Sequence, residues 1–357
     1  MRTAAWILLC GLGAVVGCSD DATDSGAEPR FAATAPQILS TGSPTKDEDP
    51  SVLRARDGSM FVAWFSDRGG AGDIYVVQSE SQNNWSDPVR VTLDPGGDFY
   101  PTLVQDDAGT FHLTWFRWYA YFRGHIMHST SPDGIHWNVA DEESVTTDPD
   151  IDDWLPTPAF ANDGTMFIYF VSELRGTANP TSEIYVTSKG PSDIAWSDPD
   201  TVASINSATE HDQLPFVARS GSGFTMAWVR HDTSEPIPYQ NPKSQLFVAT
   251  STNGTAWSAP LQVTHDAGNV VHLFPQIFGS GASQSVLWLS NRDGAVKVYE
   301  LLLSEAGQYP ARVRENTALP AGYSHRIAAT STSGVFLGAW VQGPEGTQDV
   351  YYRFFNR

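Results

Sequence analysis

The sequence has little cysteine, little positive charge and no long apolar run. Its two cysteines, Cys10 and Cys18, lie in the first 18 of 357 residues, so the rest of the chain forms no internal disulfide and must be stabilised by packing. Only 21 Lys and Arg residues stand against 41 Asp and Glu, and the net charge is -20. This balance argues against nucleic-acid binding, because phosphate recognition needs a basic face.

Motifs of several enzyme classes are also missing. The chain contains no Gly-rich phosphate-binding loop, no cysteine-based zinc motif and no Gly-x-Ser-x-Gly nucleophile turn. What it does contain is 30 Gly, 23 Pro, 12 Trp, 12 Tyr and 18 Phe within 41% apolar residues. This turn-rich, aromatic composition favours many short strands, and it excludes disorder as a description of the whole chain.

Residues 1–17 are typical of an export signal, with Arg2 before an apolar stretch that is shorter than the ~20 residues of a membrane span. The sequence VVGC ending at Cys18 resembles the bacterial lipoprotein lipobox, which implies acylation of Cys18. The alternative is an ordinary secretory signal. Residues 18–33 are acidic and aperiodic, which indicates a flexible tether. The resemblance, with Ser19 after the cysteine, implies a lipid anchor in the bacterial outer membrane.

A strand motif that ends in an aromatic residue recurs every 51 to 60 residues. The six aromatic positions are Trp64, Trp115, Phe170, Trp228, Trp288 and Trp340. Each copy follows a strand that opens near a proline, except in the sixth, and is followed by a third strand and usually a fourth. Four antiparallel strands repeated six times predict an all-β, six-bladed β-propeller over residues 34–357.

The two ends of the chain complement each other. The sixth repeat stops after its third strand. At the other end of the chain, residues 35–41 (APQILST) resemble the fourth-strand sequence of residues 259–264 (APLQVT). We therefore predict that an N-terminal strand closes the last blade and leaves no open sheet edge.

Two turns carry a recognisable motif, at residues 131–137 (SPDGIHW) and 251–257 (STNGTAW). They resemble the Asp-box, or bacterial neuraminidase repeat, and residues 34–357 resemble the sialidase superfamily of six-bladed propellers. The resemblance implies that Asp133 and Asn253 cap their own turns and that the following Trp packs between blades. It implies a catalytic Arg-Ile-Pro motif early in the chain, but the nearest match here, Arg326-Ile327-Ala328, lacks the proline and lies in the last repeat.

In a propeller, the loops before the first strands and after the second strands open on the same face. Arginines recur in the second kind of loop, and Arg fits carboxylate or sulfate groups on sugars. The predicted substrate-binding residues are Arg68, Arg117, Trp154, Arg175, Arg230, His231, His272, Arg292, His325 and Arg326. The alternative is that each arginine pairs with a neighbouring acid such as Asp49, Asp98 or Asp153.

Candidates for acid–base chemistry on this face are His211, Asp212 and Tyr323, because His titrates near neutral pH. The acidic loop that contains Asp148, Asp150 and Asp152 is a candidate Ca²⁺ site, with a solvated acidic loop as the alternative. No other cofactor is indicated.

Three functions fit these residues. The first is a propeller that binds a glycan or an envelope protein at its central face. The second is a carbohydrate-active enzyme, either a sialidase-like glycoside hydrolase or a polysaccharide lyase. The third is a scaffold subunit of a surface complex. The sequence leaves open whether the protein is an enzyme.

Overall fold

The computed structural model describes residues 34–40, 44–81, 84–120, 123–173, 175, 181–232, 243–279, 284–305, 313–317, 319, 328–332, 335–344 and 346–356. Residues 31–357 belong to one compact unit. The leader, Cys18 and the predicted tether lie outside the described residues. Among those described, no helix has the length and apolar character needed to cross a membrane.

The described chain is built from strands and three short 3-10 turns. The strands are β1 (Gln37–Ile38), β2 (Asp47–Arg54), β3 (Met60–Ser66), β4 (Asp73–Ser79), β5 (Val89–Arg90), β6 (Gly97–Gln105), β7 (Phe111–Ala120), β8 (Arg123–Ser131), β9 (Glu143–Ser144), β10 (Asp152–Phe160), β11 (Met166–Glu173), β12 (Glu183–Lys189), β13 (Asp200–Thr201), β14 (Glu210–Ser220), β15 (Gly223–Asp232), β16 (Ser244–Ser251), β17 (Leu261–Gln262), β18 (His272–Phe278), β19 (Ser285–Ser290), β20 (Lys297–Leu302), β21 (Arg314–Glu315), β22 (Ala328–Thr332), β23 (Val335–Gln342) and β24 (Asp349–Asn356). The 3-10 turns are Asp67–Gly69, Val139–Asp141 and Leu303–Glu305.

Consecutive strands pair in antiparallel order, four at a time. Sets 1, 4 and 5 are the sheets β2–β5, β14–β17 and β18–β21. Set 2 (β6–β9) and set 3 (β10–β13) form one eight-stranded sheet, joined by a parallel contact between Gly124 and Asp152. Set 6 consists of β22–β24 and β1. The prediction of an all-β propeller is confirmed.

The aromatic repeat marks the centre of each set. All six aromatic positions lie on the second strand of their set and are at most 1% exposed. Neighbouring sets pack through these second strands, as Phe61 of set 1 does on Phe111 of set 2, with 4.8 Å between ring centroids. The second strands β3, β11 and β19 are buried on both faces along nearly their whole length, which explains why they are nearly continuous apolar runs rather than alternating ones.

A bulge interrupts the first strand of sets 1 to 5 at the recurring proline. Proline has no N–H for the ladder, so the register shifts there. The residue before each proline has a positive φ of 50 to 55°, which is strained for a residue with a side chain. These residues are Asp49, Tyr100, Leu155, Leu214 and Phe274. The last four pack in or against a core cluster shared by sets 3 to 6.

The turns at residues 131–137 and 251–257 are each capped by a side chain of the turn itself. Asp133 Oδ1 accepts hydrogen bonds from the backbone N–H groups of Ile135 and His136, at 3.0 and 2.8 Å. Asn253 Oδ1 accepts the corresponding bonds in set 4. Trp257 packs in the cluster that joins sets 3 and 4.

The N-terminal strand lies at the edge of set 6. β1 pairs antiparallel with β24, with Gln37 opposite Tyr352 and Ile38 opposite Tyr351. Just after it, Ser40 Oγ accepts a hydrogen bond of 2.8 Å from the backbone N–H of Val350. Thr92, Thr146 and Thr264 accept the same bond after the fourth strands of sets 1, 2 and 4. Ser40 therefore makes the same hydrogen bond that follows the fourth strands of these other sets.

We expect Ser40→Ala to lower the free energy of unfolding by ~1–3 kcal/mol, because it leaves the buried N–H of Val350 without this acceptor. Urea denaturation measures the change. Ser192→Ala is the matched control, because Ser192 is an exposed serine in the turn after β12, and it should change stability little. Equal stability of the two variants would mean that the hydrogen bond between Ser40 and Val350 does not stabilise the closed sheet.

Candidate functional site

Two adjacent rows of residues line the face on which first strands begin and second strands end. The inner row, which we call the anchor row, consists of Asp47, Asp98, Asp153, Asp212 and His272. The outer row lies one residue earlier on the first strands of sets 2 to 4 and is called the rim row. It consists of the register pairs Gly97–Trp118, Asp152–Glu173 and His211–His231.

The anchor row is a repeated, buried ion-pair motif. In set 4, Asp212 Oδ1 accepts hydrogen bonds from Trp228 Nε1 at 2.7 Å and Arg230 Nε at 2.8 Å. Asp212 Oδ2 also accepts from Arg230 Nη2, at 3.1 Å. Sets 1 and 2 repeat this arrangement with Asp47, Trp64 and Arg68, and with Asp98, Trp115 and Arg117. In set 3, Asp153 pairs with Arg175, and Phe170 takes the place of the tryptophan.

Set 5 replaces the anchor aspartate by a histidine. His272 is fully buried, and its Nδ1 accepts a hydrogen bond of 3.0 Å from Trp288 Nε1. Its Nε2 lies 3.2 Å from Asp266, which also pairs with Arg292 at 3.0 Å. Burial lowers the pKa of His272 to about 4. The ring is therefore neutral at physiological pH, and it positions Trp288 and Asp266 through these contacts.

Five of the six arginines predicted to bind substrate are thus each paired with an acid, as the alternative interpretation stated. All five have side chains no more than 24% exposed. Asp212, a predicted catalytic residue, is fully buried within its ion pair. Trp154 is buried in the shared core cluster. Tyr323, His325 and Arg326 lie outside the described residues.

The rim row of set 3 brings two carboxyl groups together. Asp152 and Glu173 are direct cross-strand partners on β10 and β11. Asp152 Oδ1 is buried and has no hydrogen-bond partner in the part of the chain that the structure describes. Burial, and then the charges of Glu173 and Asp153, raise the pKa of Asp152 to about 6. Asp152 is therefore an acid that holds or releases a proton near neutral pH.

Ser182 links this carboxyl pair to the histidines of set 4. Its Oγ donates a hydrogen bond of 3.0 Å to Glu173 Oε1, and its backbone N–H donates one of 2.9 Å to His211 Nδ1. Because that backbone group can only donate, His211 Nδ1 carries no proton and the neutral ring bears its hydrogen on Nε2. Burial lowers the pKa of His211, against the opposing charge of Glu173. The His211 and His231 rings stack with centroids 4.7 Å apart.

The acidic loop is divided by the fold. Asp150 is exposed and lies 3.3 Å from Arg123, and Asp148 Oδ1 accepts a hydrogen bond from the backbone N–H of Asp150. Asp152 instead belongs to the rim row. Within the described ranges, no group of three or more His, Cys, Asp or Glu residues is placed to hold a metal ion.

A cleft of about 420 Å³ lies on the opposite face, between sets 1 and 2. Its carboxylates are already used, because Asp57 accepts a hydrogen bond from the backbone of Ser59 and Asp133 caps its own turn. The cleft therefore has no carboxyl pair comparable with Asp152 and Glu173. The chemistry of the rim row, rather than the size of this cleft, identifies the candidate site.

The sequence missed Glu173 and Ser182 as site residues and assigned Asp152 only to a metal. Their shared signal is strand register: Glu173 ends the second strand directly opposite Asp152. That relation appears only when the bulge at Pro156 is counted, because the bulge shifts the register between Trp154 and Thr157.

No protein-family model and no curated protein matches the sequence. The structure is similar to a Penicillium chrysogenum alpha-L-arabinanase complexed with arabinobiose, with a TM-score of 0.68 and 12% identity over 91% of this chain and 98% of that one. It is similar to a Hadza microbial sialidase, with a TM-score of 0.59 and 12% identity over 87% of this chain and 65% of that one.

A third similar structure is a polysaccharide lyase, an ulvan lyase, with a TM-score of 0.55 and 13% identity over 86% of this chain and 78% of that one. At such identities the likeness establishes the fold alone. The fold is that of a β-propeller.

Proposed function

We propose that this protein is a glycoside hydrolase that cleaves a neutral saccharide, with Asp152 as general acid and Glu173 as the ionised carboxylate. The observation that carries the proposal is the carboxyl pair on the rim row, whose two members have different surroundings. The similar propellers include an arabinanase, a sialidase and an ulvan lyase, which favours a carbohydrate-related function. This supports the enzyme alternative over a binding module.

Glycoside hydrolysis needs one carboxyl group that is protonated and one that is ionised. Asp152 meets the first requirement, because burial beside Glu173 raises its pKa to about 6. It would deliver its proton to the oxygen of the leaving group. Glu173 meets the second requirement as either nucleophile or base, and the hydrogen bond from Ser182 fixes its orientation. His211 would offer its Nε2–H as a hydrogen-bond donor to the substrate.

Charge on this face favours a neutral substrate over an acidic one. Each of the five described arginines on this face is already paired with an aspartate, whereas Asp152 Oδ1 is buried without a described partner. A sialic acid or uronate carboxylate would meet carboxyl groups at the rim row. Repulsion from the net charge of -20 acts in the same direction.

The test is turnover of a fixed substrate panel at pH 5: arabinobiose and longer arabino-oligosaccharides, other neutral oligosaccharides, sialyllactose and ulvan. We expect product from a neutral member and none from the acidic ones. Release of sialic acid would overturn the substrate class, and an unsaturated product from ulvan would make the protein a lyase. Failure to turn over any member, together with glycan binding, would favour the binding module.

The pH dependence of turnover gives a second prediction. Because Asp152 must carry a proton and its pKa is raised to about 6, we expect kcat/KM to fall about tenfold per pH unit above pH 6. Initial rates between pH 4 and 9 measure this limb. A rate that stays constant up to pH 8 would exclude Asp152 as the general acid.

We also infer that the propeller has six blades, one for each strand set. The inference is supported by the eight-stranded sheet, whose two halves are joined within the described residues by one parallel residue pair, and by the cluster in which set 6 packs on set 1. The lipid anchor at Cys18 stays a proposal that rests on the sequence alone.

A further inference from the structure

We propose that Trp118 is a stacking platform for a sugar ring, adjacent to the Asp152–Glu173 pair. The proposal rests on the hydrolase function and adds a substrate subsite to it. Trp118 occupies the rim position of set 2, which corresponds to Glu173 in set 3 and to His231 in set 4. Trp118 and Glu173 therefore occupy equivalent positions in neighbouring strand sets.

Backbone pairing places the two positions in one row. Trp118 is the register partner of Gly124 on β8, and Gly124 makes the parallel contact with Asp152 on β10. Asp152 in turn pairs with Glu173. Neighbouring strands lie ~4.8 Å apart, so three strand spacings separate Trp118 from Glu173 along the row. Two spacings, roughly 10 Å, separate Trp118 from Asp152, and three spacings, roughly 14 Å, separate it from Glu173, distances that a short oligosaccharide can span.

Strand register leaves the indole ring partly exposed. Both cross-strand partners of Trp118 are glycines, Gly97 and Gly124, so the two positions directly opposite it carry no side chain. Each glycine is required by packing, because a Cβ would lie 2.5 Å from the Phe99 ring at Gly97 and still closer to the Phe116 ring at Gly124. Trp118 is consequently 44% exposed, whereas the aromatic-slot tryptophans of the repeats are at most 1% exposed.

Exposed aromatic surface at this position fits a saccharide. A sugar ring has one face of C–H groups that packs on an aromatic ring, while its hydroxyl groups remain available to polar side chains. The residues across the row are carboxyl and imidazole groups, which bind hydroxyls. A neutral oligosaccharide can therefore stack on Trp118 and present its next linkage to Asp152 and Glu173.

The test uses a glycan array of neutral and acidic oligosaccharides, probed with full-length protein carrying Glu173→Gln so that bound glycans are not cleaved. We expect neutral oligosaccharides to bind, and Trp118→Ala in the same background to weaken binding about tenfold or more. Trp118→Phe should restore part of the affinity, because it keeps an aromatic face. Val296→Ala is the control, since Val296 is 49% exposed and follows the second strand of set 5.

Turnover by the otherwise unaltered enzyme separates the platform from the hydrolase proposal. On longer substrates, Trp118→Ala should raise KM about tenfold with little change in kcat, because the platform binds the ground state. If the enzyme turns over a substrate and Trp118→Ala leaves the KM unchanged, the platform proposal is wrong and the hydrolase proposal stands. If glycans on the array bind in a way that depends on Trp118 but no panel member is turned over, the hydrolase proposal alone is wrong. Absence of both binding and turnover overturns both.

Discussion

Asp152→Asn and Glu173→Gln should each lower kcat by about 10²–10⁴-fold, because each removes one half of the acid–base pair. The two variants are expected to differ in their pH profiles. Loss of the general acid removes the decline in rate above pH 6, whereas Glu173→Gln leaves residual activity that still requires protonated Asp152. Initial rates on the best substrate of the panel measure both effects.

Measurements of stability show whether the loss of activity in Asp152→Asn results from unfolding. The folded-state pKa of Asp152 is raised to about 6, above the ~3.9 of an unfolded aspartate, so its ionisation destabilises the fold as the pH rises from about 4 to 6. Asp152→Asn should therefore raise the unfolding temperature at pH 7.5, and the difference from the parent should vanish near pH 4. Lower stability at pH 7.5 would contradict the assigned environment of Asp152.

Asp150→Asn is the matched control, because Asp150 lies in the same loop but is exposed. It should leave both kcat and the unfolding temperature nearly unchanged. Equal losses in Asp150→Asn and Asp152→Asn would assign the effect to the loop as a whole and would exclude a specific carboxyl pair.

The repeat pattern was sufficient to predict the propeller architecture. Trp64, Trp115 and their counterparts occur once per strand set because each set needs one large side chain to fill the space between neighbours. The match between the N-terminal segment and a fourth strand was informative for a related reason. Ser40 repeats the hydrogen bond of Thr264, so the same local geometry needs the same type of side chain.

The site was predicted less completely, because its residues act through pairs that the sequence does not specify. A recurring arginine looks the same in sequence whether it faces a ligand or an aspartate. Only the structure shows that Arg230 contacts Asp212. The carboxyl pair was missed because it depends on strand register, which shifts at Pro156. Counting the bulge at each recurring proline would have placed Asp152 opposite Glu173.

Asp212→Ala should lower the free energy of unfolding by about 3–5 kcal/mol, the cost of removing one partner from a buried ion pair. Asp212 is fully buried and receives hydrogen bonds from Trp228 Nε1, Arg230 and the backbone N–H of Ser207. The alanine leaves the guanidinium of Arg230 without its carboxylate, and it leaves the buried Trp228 Nε1–H and the partly buried backbone N–H of Ser207 without this acceptor. Urea denaturation at pH 7 measures the loss.

Asp150→Ala provides the comparison, because it removes an aspartate that pairs with Arg123 at the surface and should change stability by no more than ~1 kcal/mol. The pair of variants also decides between the two interpretations of the arginines. If Arg230 is structural, Asp212→Ala reduces stability first, and loss of saccharide binding follows only where the fold is lost. If Asp212→Ala instead unfolds like the parent and binds glycans less tightly, Arg230 is a ligand-binding residue that Asp212 merely orients.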